Sequence, residues 1–196
     1  MDKERFEKQL AFILEADKEK TILRQTHISG HVRQENDAEH AWHMALMMYL
    51  LREYADEPFD LARALMMAII HDVVEIDAGD TYAYDDTAKA TQKEREEKAA
   101  ERIFGLLPAD QAKELRALFE EFEAGSSPEA RFAAAMDRLQ PLLLNDANGG
   151  IDWKIHDVSR DQVIRRQSST RDASRALWEY SLSLIEKNAD KGILKR

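Results

Sequence analysis

Residues 61–80 read LARALMMAIIHDVVEIDAGD. From Ala64 to Ile70 the stretch is wholly apolar. It is too short to cross a bilayer and has the length and composition of a buried helix. It ends in His71-Asp72. An imidazole and a carboxylate following a buried run are costly unless something satisfies them. Adjacent helical positions diverge by about 100°, so the pair converges only on an object lying between the two side chains, and a metal ion fits that geometry. The helix is expected to run to about Val74. Glu75, three and four residues past Asp72 and His71, is then predicted on their face. Gly79 ends the pattern and permits a tight turn that brings Asp80 back toward them.

Outward from this segment the chain keeps a helical period. Asn36 reads as an N-cap with Glu39 as its capping-box partner, opening a helix from Asp37 to about Tyr54 that carries His40 near its start. Ala41, Ala45, Met48 and Leu51 give that helix a buried stripe. Phe6, Leu10, Ile13 and Leu14 predict an amphipathic helix over Met1 to Asp17, and Thr21 to Glu35 is expected as turn and loop. Further helices are predicted over Thr87 to Phe104, from Leu107-Pro108 to Gly125, and from Ser127-Pro128 through Asp137, with Pro141 kinking or ending the last. Asn148-Gly149-Gly150 reads as a loop, and Ser159 to Asn188 as one or two helices. Without repeats or a long linker, the expected fold class is all-α, one helical bundle over residues 1–196.

Composition narrows the chemistry. The chain has 196 residues and no cysteine, which excludes a disulfide framework and a thiolate metal site. Any metal must be held by His, Asp or Glu. Against 28 Lys and Arg stand 38 Asp and Glu, a net charge of −10. That balance argues against duplex nucleic acid as a partner, while a small phosphorylated ligand remains compatible through a local positive site. The charged N-terminus has no signal-peptide pattern, so the cytoplasm is the expected setting.

His40, His71-Asp72 and Asp137, in that order, resemble the H…HD…D signature of the HD-domain metal-dependent phosphohydrolase superfamily. The likeness is greatest to the YfbR-like 5'-deoxynucleotidase group. It is carried by Glu35 to His40, His71 to Asp80, and Met136 to Leu139, and organises a core of residues 23–144, leaving 151–196 as a helical extension. A lone His-Asp pair has little specificity; the ordered set with Glu75 and Gly79-Asp80 has far more. The resemblance implies one divalent ion held by His40, His71, Asp72 and Asp137, catalytic roles for Glu75 and Asp80, and a homodimer. A His₂Asp₂ set leaves octahedral positions open and suits Mn²⁺, Co²⁺, Fe²⁺ or Mg²⁺, with Zn²⁺ also compatible. Such an ion would polarise a phosphoryl oxygen and acidify water, with one carboxyl assisting the nucleophile and the other the leaving alkoxide.

The expected reaction is hydrolysis of a nucleoside or deoxynucleoside 5'-monophosphate. Cyclic or pyrophosphorylated nucleotides are the alternative substrates, and a non-catalytic module stapled by metal is the alternative of another class. The carboxylates require cations from elsewhere: Arg24 and Arg33 are the candidates for phosphate, Lys93 and Arg95 the next. YfbR-like enzymes carry Arg-Trp upstream of the first metal histidine, where this chain has Gln25-Thr26 with Arg24 one place earlier. HD enzymes with two metals usually resemble a longer pattern with extra histidines between the HD pair and the last aspartate; no histidine lies between His71 and His156 here, so the resemblance implies a mononuclear HD centre. His43 is expected to pack or to support His40; His27, His31 and His156 read as loop residues, the first two able to flank a substrate. Met44, Met47, Met48, Met66 and Met67 read as core filling, and Trp42 as packing on another helix or another subunit.

Overall fold

Residues 61–70 do form a helix, and its sequence explains both ends. The computed structural model describes residues 1–196, the side chains of Asp86 and Lys89 excepted. In chain order the helices are α1 (Lys3–Ala16), α2 (Asp37–Leu51), α3 (Leu61–Ile70), α4 (Glu75–Ala78), α5 (Asp86–Phe104), α6 (Ala109–Ala124), α7 (Pro128–Ala147), α8 (Ile151–Ile155), α9 (Arg160–Gln167) and α10 (Arg175–Asp190). The fold is all-α apart from one small hairpin, β1 (Leu23–His27) with β2 (Gln34–Asn36). No helix among the described residues is long and apolar enough to cross a membrane.

The Asp60 side chain starts α3 by accepting from the backbone N–H groups of Ala62 and Arg63. The helix stops four residues sooner than its apolar pattern predicts. After His71 N–H, which still bonds the Met67 carbonyl, the chain passes into tight turns: Val73 N–H to Ile70 O, then Glu75 N–H to Asp72 O. Residues 70–75 are all buried. A straight helix buries one stripe, whereas successive turns redirect six consecutive side chains inward. Glu75 therefore arrives as the first residue of α4, not on a continuation of α3.

The hairpin is the second departure, because residues 21–35 were expected as loop. β1 and β2 pair antiparallel, Leu23 opposite Asn36 and His27 opposite Gln34, with an irregularity between them. Leu-Arg-Gln-Thr-His and Gln-Glu-Asn lack the apolar alternation that announces a strand. The turn holds Gly30 and His31 at positive φ, 83° and 56°.

α7 runs through the middle, in contact with α2, α3, α6, α9, α10 and β1. Ser127 caps it, with Pro128 in the first turn. Ala130, Ala133 and Ala135 are buried small residues that let neighbouring helices approach, and Phe132, Met136, Leu139 and Leu142 fill the core between them. A side chain as large as Phe132, fully buried, stabilises the fold by about 1.5–3 kcal/mol. Pro141 does not end the helix, which continues to Ala147. Lacking an N–H, it leaves the Asp137 carbonyl without its helical donor. Met44, Met47, Met48 and Met67 are buried as expected, but Met66 is exposed. α1 packs loosely: Ile13 and Leu14 face outward, and Phe12 is the member that reaches Phe104.

Candidate metal centre and active site

The two motif histidines converge with their ring nitrogens already assigned. His40 Nδ1 lies 3.1 Å from Gln140 Oε1, and the Gln140 amide nitrogen donates to Glu35 Oε1 at 2.6 Å. The amide oxygen must therefore accept from His40 Nδ1–H. His71 Nδ1 lies 3.0 Å from the Ala68 carbonyl, which can only accept. Both imidazoles thus use Nδ1 as donor and turn Nε2 toward the carboxylates. His40 Nε2 is 3.3 Å from Asp137 Oδ1 and 4.0 Å from Asp72 Oδ2. His71 Nε2 is 3.1 Å from Asp72 Oδ2 yet is a buried atom with no well-aligned hydrogen bond. Nε2 lone pairs facing carboxylate oxygens repel unless a proton or metal cation lies between them. Ligand atoms of His40, His71 and Asp72 lie within 4.8 Å of one another, and so do those of Asp37, Asp72 and Glu75. These residues fit a divalent cation.

The electrostatics make the same demand. Burial disfavours ionised Asp72, but His71 and Arg24 outweigh it and hold the carboxyl below its usual range. Burial likewise opposes ionised Asp137, and Arg166 and His40 overcome it. Burial lowers His71, but Asp72 dominates and pushes it up to about 9. His40 is shifted down by burial and by Arg24. Burial and then the Asp72 charge raise both Glu75 and Asp37; burial raises Asp80, against the pull of Arg24. More carboxylates converge here than the available cations balance.

Arg24 and Arg33, paired by sequence position, part company. Arg24 is half-buried, 2.7 Å from Asp72 and 3.4 Å from Asp37. Arg33 is 53 % exposed at its side chain and pairs with the capping-box Glu39. It does not line the cavity: it sits in the hairpin turn, and the nearest carboxylate claims it. Arg95 bonds the Ala78 carbonyl and the Thr81 hydroxyl, bracing the turn that carries Asp80. His43 Nδ1 is 3.2 Å from the Gln140 amide nitrogen, in the layer behind His40. His156 packs against Tyr82, ring centroids 4.6 Å apart and tilted by 45°.

A cavity of about 280 Å³ opens over this cluster, lined by Arg24, His71, Asp72, Glu75, Asp80 and Asp137. Gln25 and Thr26 also line it, and Tyr82, Tyr84 and Trp153 supply aromatic wall. Its volume is near the lower end of small-molecule sites, roughly 300–1,000 Å³. Four participants were missed in the sequence reading: Asp37, Glu35, Gln140 and Arg166. The first two stand inside the quoted Glu35 to His40 motif, where three acids precede a histidine. Gln140 is one helical turn from Asp137. Arg166, 3.1 Å from Asp137 Oδ2, comes from α9 and left no sequence signal.

Residues 16–178 match the profile of the HD domain. The chain belongs to the HD-domain family. An HD fold of this kind implies a divalent metal, in keeping with the cluster just described. The crystal structure of a predicted metal-dependent phosphohydrolase from Magnetospirillum magnetotacticum MS-1 is 49% identical with a TM-score of 0.93, covering 98% of this chain and 96% of that one. The human 5'-deoxynucleotidase HDDC2 is 35% identical over 111 residues, 57% of this chain and 53% of its own length. The 5'-deoxynucleotidase hdd1 of Schizosaccharomyces pombe is 30% identical over 117 residues, 58% of each chain. This HD chain spans about half the length of the curated relatives it matches.

Proposed function

We propose that the chain is a divalent-metal-dependent phosphohydrolase that converts nucleoside or deoxynucleoside 5'-monophosphates to nucleoside and phosphate. The observation that carries this reading is that ligand atoms of His40, His71 and Asp72 lie within 4.8 Å of one another, with Asp137 3.3 Å from His40 Nε2, beside a cavity that Glu75, Asp80, Asp137 and Arg24 also line. A purely structural metal site needs neither extra carboxyl nor an open cavity. The names of the relatives, 5'-deoxynucleotidases and a metal-dependent phosphohydrolase, support the reaction class.

His40, His71, Asp72 and Asp137 would hold the ion. When bound, it supplies Lewis-acid polarisation of a phosphoryl oxygen and lowers the pKa of water. Arg24 and Arg166 orient the phosphate and offset its charge; Arg24 lies beside Asp72 and Arg166 beside Asp137. Glu75, raised by burial and by Asp72, is suited to hold a proton at its carboxyl and give it up to a leaving alkoxide. Asp80, nearer to Arg24 and Arg166 in its influences, is suited to take the proton of the attacking water. Trp153, Tyr82 and Tyr84 provide the surface for sugar and base, from α8 and the loop after α4 instead of an upstream Trp.

The proposal includes a homodimer. Trp42, Leu46, Tyr49 and Leu50 lie on one face of α2 and are exposed, Trp42 at 66 %, with Ile69 of α3 also exposed. Contiguous apolar surface of this kind is characteristic of association sites.

The test is phosphate release from ribo- and deoxynucleoside 5'-monophosphates by chelator-stripped protein, with and without Mn²⁺ or Co²⁺. Metal-dependent release supports the proposal. No release from any monophosphate, with metal bound, rejects it.

A further inference from the structure

A second group of imidazoles and carboxylate lies outside the HD cluster and shares no residue with it. His27 ends β1, His31 follows in the hairpin turn, and Asp152 lies in α8. His27 Nδ1 is 2.8 Å and His31 Nε2 2.9 Å from the same oxygen, Asp152 Oδ1. The two rings stack 3.8 Å apart at 15°. Ligands bound at about 2.0–2.1 Å lie about 2.9 Å apart when adjacent on an octahedron and about 3.3 Å apart on a tetrahedron. The nitrogen-to-oxygen separations match the edge of such a polyhedron.

The surroundings preorganise the group. Asp152 is buried, and its other oxygen, Oδ2, accepts from the His27 backbone N–H at 3.0 Å, so Oδ1 is turned toward both rings. Asn148 fixes the turn by accepting from Gly30 N–H at 2.9 Å and donating to the carbonyls of His27 and Ile28. His31 is held at φ 56°, a left-handed conformation that is strained for a non-glycine residue. A simple hydrogen-bonded clamp explains this less well. His31 Nε2 is in hydrogen-bonding position on Asp152 Oδ1, but a clamp requires both rings to donate to that oxygen, and His27 Nδ1 is a buried atom with no well-aligned hydrogen bond despite its proximity.

We propose that His27 Nδ1, His31 Nε2 and Asp152 Oδ1 form a second site, for a divalent transition-metal ion. Two imidazoles and one carboxylate favour Zn²⁺, Co²⁺ or Ni²⁺ over Mg²⁺ or Ca²⁺. The ion staples the hairpin to α8. β1 carries Arg24, and Asp152 and Trp153 line the same cavity as the HD cluster. The staple therefore fixes two walls of that cavity relative to one another. The group shares no residue with His40, His71, Asp72 or Asp137, so it is a separate site from the HD centre.

The full chain, stripped by chelator, is dialysed against Zn²⁺ and its bound metal counted. Two ions per chain are expected for the wild type, one for His31→Ala, one for His71→Ala and none for the double variant. Asp152→Asn, which keeps an acceptor for the His27 N–H, gives a second route to the same loss of one ion. In the His71→Ala background, Zn²⁺ is expected to raise the thermal midpoint, and adding His31→Ala is expected to abolish the rise. A wild type that saturates at one ion overturns the proposal without any variant. So does a His31→Ala chain that keeps two, or a His71→Ala chain that loses both.

Discussion

Arg24 Nη1 lies 2.7 Å from Asp72 Oδ2, so a cation delivered by β1 touches a carboxylate delivered by the end of α3. The same guanidinium is 3.9 Å from Asp137 through Nη2. Arg24 therefore spans two candidate metal ligands and faces the space a phosphate would enter. Arg24→Ala is expected to lower kcat/KM for a 5'-monophosphate by about 10²–10³-fold, while the chain still binds metal. Arg24→Lys should recover little, because a point charge cannot span both carboxylates. Steady-state kinetics with metal analysis checks this; unchanged kcat/KM in Arg24→Ala removes it from the phosphate site.

Gln140 orients His40 and pairs with Glu35 in one amide. Gln140→Ala leaves the His40 Nδ1–H and the buried Glu35 carboxyl without that partner. A loss of about 1–3 kcal/mol in stability is expected, with metal affinity weakened about 10–100-fold. Denaturant titration of stripped protein separates the first effect from the second, which competition with a metal-sensitive dye reads out.

Gly150 precedes α8 at φ +67°, and a Cβ there would meet Ile193 Cγ2 at 2.1 Å. Gly150→Ala combines left-handed backbone strain with overpacking, each about 1–3 kcal/mol. A thermal midpoint several degrees lower is expected, read by circular dichroism. A wild-type midpoint would mean that Ile193 yields without cost.

Glu19 is buried, and burial, reinforced by the Asp72 charge, pushes its carboxyl from 4.5 up to about 8. The folded state holds this proton where the unfolded chain has released it. Its contribution is therefore fully present below about 4.5 and is lost as pH rises through about 8. Glu19→Gln removes the titration. The variant's stability advantage over wild type is expected to grow from pH 5 to pH 8.5 in paired denaturation curves; an advantage that shrinks with pH would contradict the sign.

Trp42 stands 66 % exposed on α2 beside Leu46 and Leu50. Trp42→Glu is expected to convert a dimer to a monomer in sedimentation velocity without lowering the thermal midpoint by more than about 1 °C, since surface changes fall within roughly ±0.5 kcal/mol. A wild type that sediments as a monomer at all concentrations rejects the association.

Much of this protein is legible in one dimension because helix signals are local. Asn36 with Glu39, Asp60, and Ser127 with Pro128 each cap a helix through contacts two or three residues away, and the order His40, His71-Asp72, Asp137 is a pattern in sequence. What the tertiary structure alone decided is non-local. The hairpin depends on pairing Leu23 with Asn36, which no alternation in those polar strands announces. Glu75 reaches the cluster because residues 70–75 must all be buried at once, which breaks the helix that local periodicity extends. Arg24 and Arg33 are alike in sequence; one meets Asp72 and the other Glu39 because opposite charges pair by distance in space. Arg166, Gln140 and the His27–His31–Asp152 group follow the same rule: their partners lie from 29 to 125 residues away, a separation that only folding closes.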